Sequence, residues 1–247
     1  ITNPADAKIL TAKQDEMAKA IAVGILNYLG VGYKEETSKG IVDYKKVGNL
    51  QVLITPPTNT YMGVLYGKTL KQAGIWGING TWQDNDNAKD PASIWGLAVN
   101  NSKPIGPNSH TNSPKGYKRG TIIFHKGGGI EVARVNSIKE FTGPVQWAVG
   151  GGMLFPDYDP EKEGFVGKFS DVLRDTRHTG VGYRDGKIYQ FVHSGCTLAK
   201  FAEIVKNILD LEAAVFLDGG ASTQMNYRGK GIYSGRKLSH GMFLIEG

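Results

Sequence analysis

What most constrains this chain's fold is the way its apolar runs stop abruptly at glycine-rich polar turns. The clearest case is Ala214-Val215-Phe216-Leu217-Asp218-Gly219-Gly220-Ala221-Ser222-Thr223-Gln224-Met225. A short apolar, partly β-branched run reads as a buried strand, and this one ends in a carboxylate, two glycines and two hydroxyls. Asp218 stands where the strand stops. Gly219 and Gly220 tolerate left-handed backbone and leave room for a ligand beside the chain. Ser222 and Thr223 add hydroxyls, and the N–H groups of a following helical turn are suited to an anion. An isolated Asp-Gly-Gly segment is more often a solvated turn, so its neighbours decide.

The pattern recurs along the chain. Of 247 residues, 34 are glycine, many beside Asp, Asn or another Gly, so the fold needs many tight turns and many short strands. Leu50–Thr55, Tyr61–Tyr66, Gly74–Ile78, Ser93–Asn100, Thr121–His125, Ile130–Val135, Val145–Gly150, Thr179–Tyr183 and Ile188–His193 read as strands, and Gly241–Glu246 as the last one. Lys126-Gly-Gly-Gly129 and Asp185-Gly186 are hairpin turns. The polar stretches Thr81–Pro91 and Asn100–Gly120 are long enough to read as functional or mobile loops. One internal helix is expected from about Leu198 to Leu211, because Phe201, Ile204, Val205 and Ile208 share a face. It leads into the Ala214 run, so strand 188–193, helix and strand 213–217 form a βαβ unit. The fold class is mixed α+β: a strand-rich domain over residues 41–247 with one main internal helix.

Upstream, Thr11-Ala-Lys-Gln14 reads as a capping box, and Met17, Ile21, Ile25 and Leu29 form one apolar stripe on an N-terminal helix ended by Gly30 and Gly32. This helix loosely resembles the last helix of amidase domains in phage lysins. Residues 1–40 would then be the tail of an upstream wall-cleaving domain plus a linker. The chain opens at Ile1 rather than Met, which fits a processed or excised piece of something longer.

Charge and cysteine content narrow the function. The net charge is +6, but the lysines are dispersed, with small clusters at Lys115–Arg119 and Arg228-Gly-Lys230. That reads as a solvated surface, with an anionic polymer as the alternative partner. A nucleic-acid partner is disfavoured, because no basic groove with stacking aromatics is visible. Cys196 is the single cysteine, so there is no intrachain disulfide and no CxxC metal site. It reads as a small core residue ahead of the helix rather than a nucleophile. No apolar run is long enough to span a membrane, and no signal peptide is visible.

In the second half, Gly150-Gly-Gly-Met-Leu is followed by Arg177-His-Thr-Gly-Val-Gly182, Gly195-Cys-Thr-Leu, Leu217-Asp-Gly-Gly-Ala-Ser-Thr-Gln-Met225 and Arg236-Lys-Leu-Ser-His-Gly-Met242. The first half adds Ile78-Asn-Gly-Thr-Trp82. In this order the motifs resemble the phosphodiester glycosidase domain, the family of the lysosomal "uncovering enzyme", over roughly Gly74 to Gly247. The resemblance implies a mixed α+β fold and hydrolysis of a sugar-1-phosphodiester to free sugar and a phosphomonoester. Asp218, His178 and Arg177 become the candidate catalytic residues. Asn79, Gly80, Thr179, Gly219, Gly220, Ser222, Thr223, Arg236 and His240 become candidates for binding sugar or phosphate.

Two departures from the family pattern matter. His178 takes the slot of the family's arginine, with Arg177 one residue early, and neighbouring strand residues face opposite sides. His240 stands where the family often has Asn. No cofactor is expected; a divalent metal on His178, His240 and Asp218 is the minor alternative. The implied substrate is a cell-wall or capsule polymer, which would place the protein outside a cell, on its surface or on a virion. The competing reading is a non-catalytic glycan-binding module of a phage lysin or tail protein; a nucleotide phosphodiesterase ranks third.

Overall fold

The computed structural model describes residues 21, 42–111, 116–166 and 172–245. The expected N-terminal helix and linker lie outside the described residues, Ile21 apart. The chain divides into two compact units, Ile1–Lys39 and Gly40–Gly247, and the second is described here.

In chain order its strands are β1 (Asp43–Val47), β2 (Leu50–Thr55), β3 (Thr60–Lys68), β4 (Gly77–Asn79), β5 (Ala98–Asn100), β6 (Lys103–Pro104), β7 (Arg119–His125) and β8 (Ile130–Val135). There follow β9 (Val145–Gly150), β10 (Gly152–Phe155), β11 (Thr176–Arg184), β12 (Lys187–Cys196), β13 (Ala213–Phe216), β14 (Met225–Asn226) and β15 (Leu238–Leu244). Helix α1 (Leu70–Ala73) follows β3, and α2 (Leu198–Leu209) follows β12. The strands form three antiparallel sheets: β1-β2-β12-β11-β13-β10, β14-β4-β15-β3 and β6-β5-β9-β7-β8. The α+β reading therefore holds coarsely, and the unit is mostly sheet.

Two strand readings need correction. Only Ala98–Asn100 of the expected run Ser93–Asn100 is a strand, because Pro91 lacks a ladder N–H and opens a 3-10 turn capped by the Asp90 carboxylate. In Gly74–Ile78, Gly74 adopts φ 68° to end α1, so β4 begins only at Gly77.

The βαβ unit is present in split form. Strands β12 and β13 both pair antiparallel with β11, so they run parallel to each other with β11 between them. This explains the unbroken apolar stretch at 213–217. Val215 packs into the core where all three sheets meet, beside Ile78, Trp147 and Met242, while Ala214 and Phe216 face the layer formed by α2. A strand buried on both faces shows no alternation. Helix α2 is capped by the Thr197 hydroxyl and buries Leu198, Phe201, Ala202 and Val205 against Phe191 and Phe216; of the expected face, Phe201 and Val205 are buried, Ile204 is partly buried and Ile208 is exposed. Cutting Phe201 to alanine there costs about 3–5 kcal/mol.

The polar turn Asp218–Ser222 thus leaves β13, which lies between β11 and the edge strand β10 in the six-stranded sheet. It is tied to β11 by Leu217 N–H to the Thr179 carbonyl (2.8 Å) and to the end of β4 by Asp218 N–H to the Gly80 carbonyl (3.3 Å).

Candidate active site

A cavity of about 270 Å³ opens over this turn. Asp218, Gly219, Gly220 and Ser222 line it, with Arg174 just ahead of β11 and Thr176 and His178 at its start close beside the two glycines. Arg236 lines it too, as do Trp82, Gln83 and Trp95 from the segment between β4 and β5. Gly220 takes φ 60° and starts a 3-10 turn through Ser222, a backbone shape costly for any residue with a Cβ. A Cβ on Gly219 would sit 2.9 Å from the Arg177 carbonyl oxygen, so glycine is what lets β11 come this close.

The backbone settles which basic residue faces Asp218's turn. Pairing between β11 and β12 shifts register between Thr176 and His178, and both of those side chains line the cavity. Arg177, expected as a catalytic candidate, points elsewhere: its guanidinium donates to the Tyr233 carbonyl at 3.4 Å. His178 is buried, stacked on Phe201 with centroids 5.1 Å apart, and its Nε2–H donates to the Cys196 carbonyl at 2.7 Å. A carbonyl only accepts, so the neutral ring keeps its proton on Nε2 and presents Nδ1 as an acceptor. A Cβ on Gly219 would lie 3.7 Å from that Nδ1. Burial, reinforced by neighbouring His193, holds the His178 pKa below its ordinary value despite the Cys196 carbonyl and Asp175. Cys196 itself is buried and its thiol is pushed up to about 11, so it is a core residue as read from the sequence.

Several expected binding residues stand behind the turn instead of in the cavity. Asn79 is buried, and its amide bonds only to protein: Nδ2–H donates to the carbonyls of Asp218 (2.8 Å) and Gly80 (3.2 Å), while Oδ1 accepts from Thr179 Oγ1 (2.8 Å) and Gln224 N–H (3.0 Å). Thr179 and Gly80 belong to the same knot, and Thr223 is fully buried. His240 is fully buried too; Nε2 accepts from Thr81 N–H (3.0 Å), so Nδ1–H faces Ser239 Oγ at 2.9 Å. The ring packs against Gly80, where a Cβ would fall 2.3 Å from Nε2. Burial pushes its pKa down to about 3, which keeps it neutral. With both His240 nitrogens committed, the triad His178–His240–Asp218 cannot share a metal. Among the described residues no group of three His, Cys, Asp or Glu side chains is placed to hold one.

Gln224 extends the knot to the cavity rim, since its side chain accepts from Leu70 N–H and donates to the Arg236 carbonyl at 2.8 Å. Ser234 Oγ donates to the Ala221 carbonyl and accepts from Arg236 N–H, pinning the Arg236 loop to the glycine turn. Beneath the aromatic wall lies Arg119, fully buried, its guanidinium 4.4 Å from the Phe165 ring centre and 5.3 Å from that of Trp82. Its Nε–H donates to the Glu163 carbonyl at 3.1 Å, and the Glu163 carboxylate accepts from Gly120 N–H, Met153 N–H and Arg134 Nε.

No sequence motif marks Arg174, Thr176, Gln83 or Trp95. Their signal, where one exists, is indirect: Gln83 and Trp95 lie in or near the long polar loop already read as functional. Together the cavity offers two guanidinium groups, a neutral imidazole acceptor, a carboxylate, hydroxyls and indole faces, which suits a negatively charged, hydroxyl-rich ligand.

The family model for phosphodiester glycosidase matches residues 73–243, and the chain belongs to that family. Among solved structures it is similar to the catalytic domain of zebrafish N-acetylglucosamine-1-phosphodiester alpha-N-acetylglucosaminidase, auto-inhibited by its pro-peptide. The TM-score is 0.60 at 14% identity, over 84% of this chain and 82% of that one. A hypothetical protein from Synechocystis matches at TM-score 0.48 and 12% identity, over 82% of this chain and 61% of its own. A protein from Burkholderia pseudomallei K96243 matches at 0.47 and 12%, over 79% and 73%. Comparison with curated protein sequences returns no match.

Proposed function

We propose that this chain hydrolyses the bond between the anomeric carbon of an N-acetylglucosamine-like sugar and a phosphodiester, releasing the sugar and leaving a phosphomonoester. The observation that carries this reading is the meeting of Asp218, the His178 Nδ1 acceptor and two arginines in one cavity. Arg174 and Arg236 hold the phosphate charge as it develops on the leaving oxygen. Phosphate leaves readily, so a strong proton donor is dispensable. Asp218 stabilises the oxocarbenium-like carbon, as carboxylates do in glycoside hydrolysis. His178 Nδ1 accepts the proton of the attacking water. The water oxygen bonds to the anomeric carbon, the carbon–oxygen bond breaks with its electrons going to phosphate, and the proton passes to solvent.

A polymer with phosphodiester-linked sugars, from a bacterial wall or capsule, fits the net charge of +6, and acting on it would place the protein outside a cell or on a virion. The test is release of free sugar from the methyl diester of N-acetylglucosamine-1-phosphate. Asp218→Asn is expected to lower turnover by about a hundredfold or more with the fold intact. Wall binding without release of sugar from this compound or from wall polymers would instead favour a glycan-binding module.

A further inference from the structure

The hairpin Tyr227-Arg228-Gly229-Lys230, one of the basic clusters of the sequence, has no part in the cavity. Its ends exchange both backbone hydrogen bonds, Tyr227 N–H to the Lys230 carbonyl and the reverse, at 2.9 and 2.8 Å. Its two central residues take φ 49° and 79°, so it is a tight two-residue turn with left-handed backbone at both positions. Such a turn prefers Asn-Gly, and arginine at its first position carries a backbone cost.

Both cations are held in place by rings. Arg228 lies 5.2 Å from the Trp76 ring centre, and Lys230 Nζ lies 4.9 Å from that of Tyr44. A path of contacts leads from there to the cavity. The Tyr233 hydroxyl donates to the Lys230 carbonyl, Lys71 sits over the Tyr233 ring, and Arg177 donates to the Tyr233 carbonyl. Ser234 follows in sequence, and its hydroxyl accepts from the N–H of Arg236 on the cavity rim. Among the described residues, none of Arg177, Lys71, Arg228 and Lys230 pairs with a carboxylate.

We infer that Arg177, Lys71, Arg228 and Lys230 form a second binding surface, leading away from the cavity, for further repeats of a phosphodiester-linked glycan polymer. The inference rests on the sugar-phosphodiester reading of the cavity and names its substrate as a polymer. The faces of Tyr44, Trp76 and Tyr233 already carry cations, so the surface offers positioned positive charge rather than bare planes for base stacking. That favours repeating phosphates on sugars over a single-stranded nucleic acid.

The test compares wild type with the double variant Arg228→Asn/Lys230→Gln, in which Asn suits the left-handed position and keeps the hairpin. The substrates are the methyl diester of N-acetylglucosamine-1-phosphate and a chain of several N-acetylglucosamine-1-phosphate repeats. For the chain, KM is expected to rise about tenfold, the effect of removing two exposed cation–phosphate pairs, and the difference should vanish in about 1 M salt. For the single diester, kcat/KM should stay unchanged. Equal effects on both substrates, or none on the chain, would overturn the inference. So would an oligodeoxynucleotide of equal charge that displaces the chain from Asp218→Asn protein as well as unlabelled chain does. If wild type hydrolyses neither compound, the hydrolase reading fails, and the affinity of wild type and double variant for the chain still decides the surface by calorimetry.

Discussion

Replacing Asn79 with alanine should unfasten the site without touching a residue that lines it. The side chain joins three segments far apart in sequence: Asp218 through its carbonyl, Thr179 on β11 and the N–H of Gln224. The bonds from Thr179 and Gln224 are buried and the one to the Asp218 carbonyl is partly so, so water replaces the missing partner at best in part. Each orphaned group costs about 1–3 kcal/mol, and the Thr179 hydroxyl can rotate to ease its share. The expected loss is about 4 kcal/mol, a large part of the roughly 5–15 kcal/mol typical of a folded domain. For a unit of this size that is roughly 8–16 °C in Tm. Asn79→Asp should cost at least as much, because it turns an oxygen toward the carbonyls of Gly80 and Asp218, where the amide donates. Urea unfolding at pH 7 reads the loss, and kcat on a sugar-1-phosphodiester should fall more than KM rises as the Asp218 turn shifts. An alanine variant within about 1 kcal/mol of wild type, with full turnover, would refute this role for Asn79.

Other outcomes follow from the same geometry. Burial lowers the His178 pKa, so its neutral, accepting form persists through neutral pH; kcat/KM should fall only as the pH drops below the ordinary histidine range, and His178→Gln should abolish that acid limb. His110, like His240, is buried; burial, with the Arg119 charge also acting on His110, pushes both pKa values down to about 3 from 6.5, so their stability contribution is complete above pH 6.5 and lost as the pH falls toward 3. At pH 4 each should cost about 3 kcal/mol, read as a lower urea midpoint than at pH 7. Gly220→Ala forces a Cβ into φ 60°, and it should destabilise by about 1 kcal/mol while lowering turnover more than that loss explains.

Much of the fold was legible from local pattern. Leu50–Thr55, Ile130–Val135 and Val145–Gly150 coincide with β2, β8 and β9, because β-branched and apolar runs bounded by turn residues leave little alternative. Helix α2 showed itself in four apolar residues on one face. The Asp-Gly-Gly turn was legible because a strand buried on both faces must end in something polar. Side-chain direction was not. Asn79 and Thr179 are 100 positions apart, and Asn79 and Gln224 are 145 apart, so only tertiary assembly decides whether that amide meets protein or ligand. Alternation along a strand told that Arg177 and His178 part company, but not which one turns inward; that depends on the register shift beside Thr176. Arg174 precedes the strand and carries no periodicity at all.

A glycosidase breaks the sugar carbon–oxygen bond rather than the phosphorus–oxygen bond. Hydrolysis of the methyl diester of N-acetylglucosamine-1-phosphate in water enriched in heavy oxygen tests directly which of the two breaks, with the sugar trapped by reduction and both products weighed by mass spectrometry. The label should appear in the sugar and be absent from methyl phosphate. Label in the phosphate would contradict the glycosidase mechanism and make the cavity that of a phosphodiesterase.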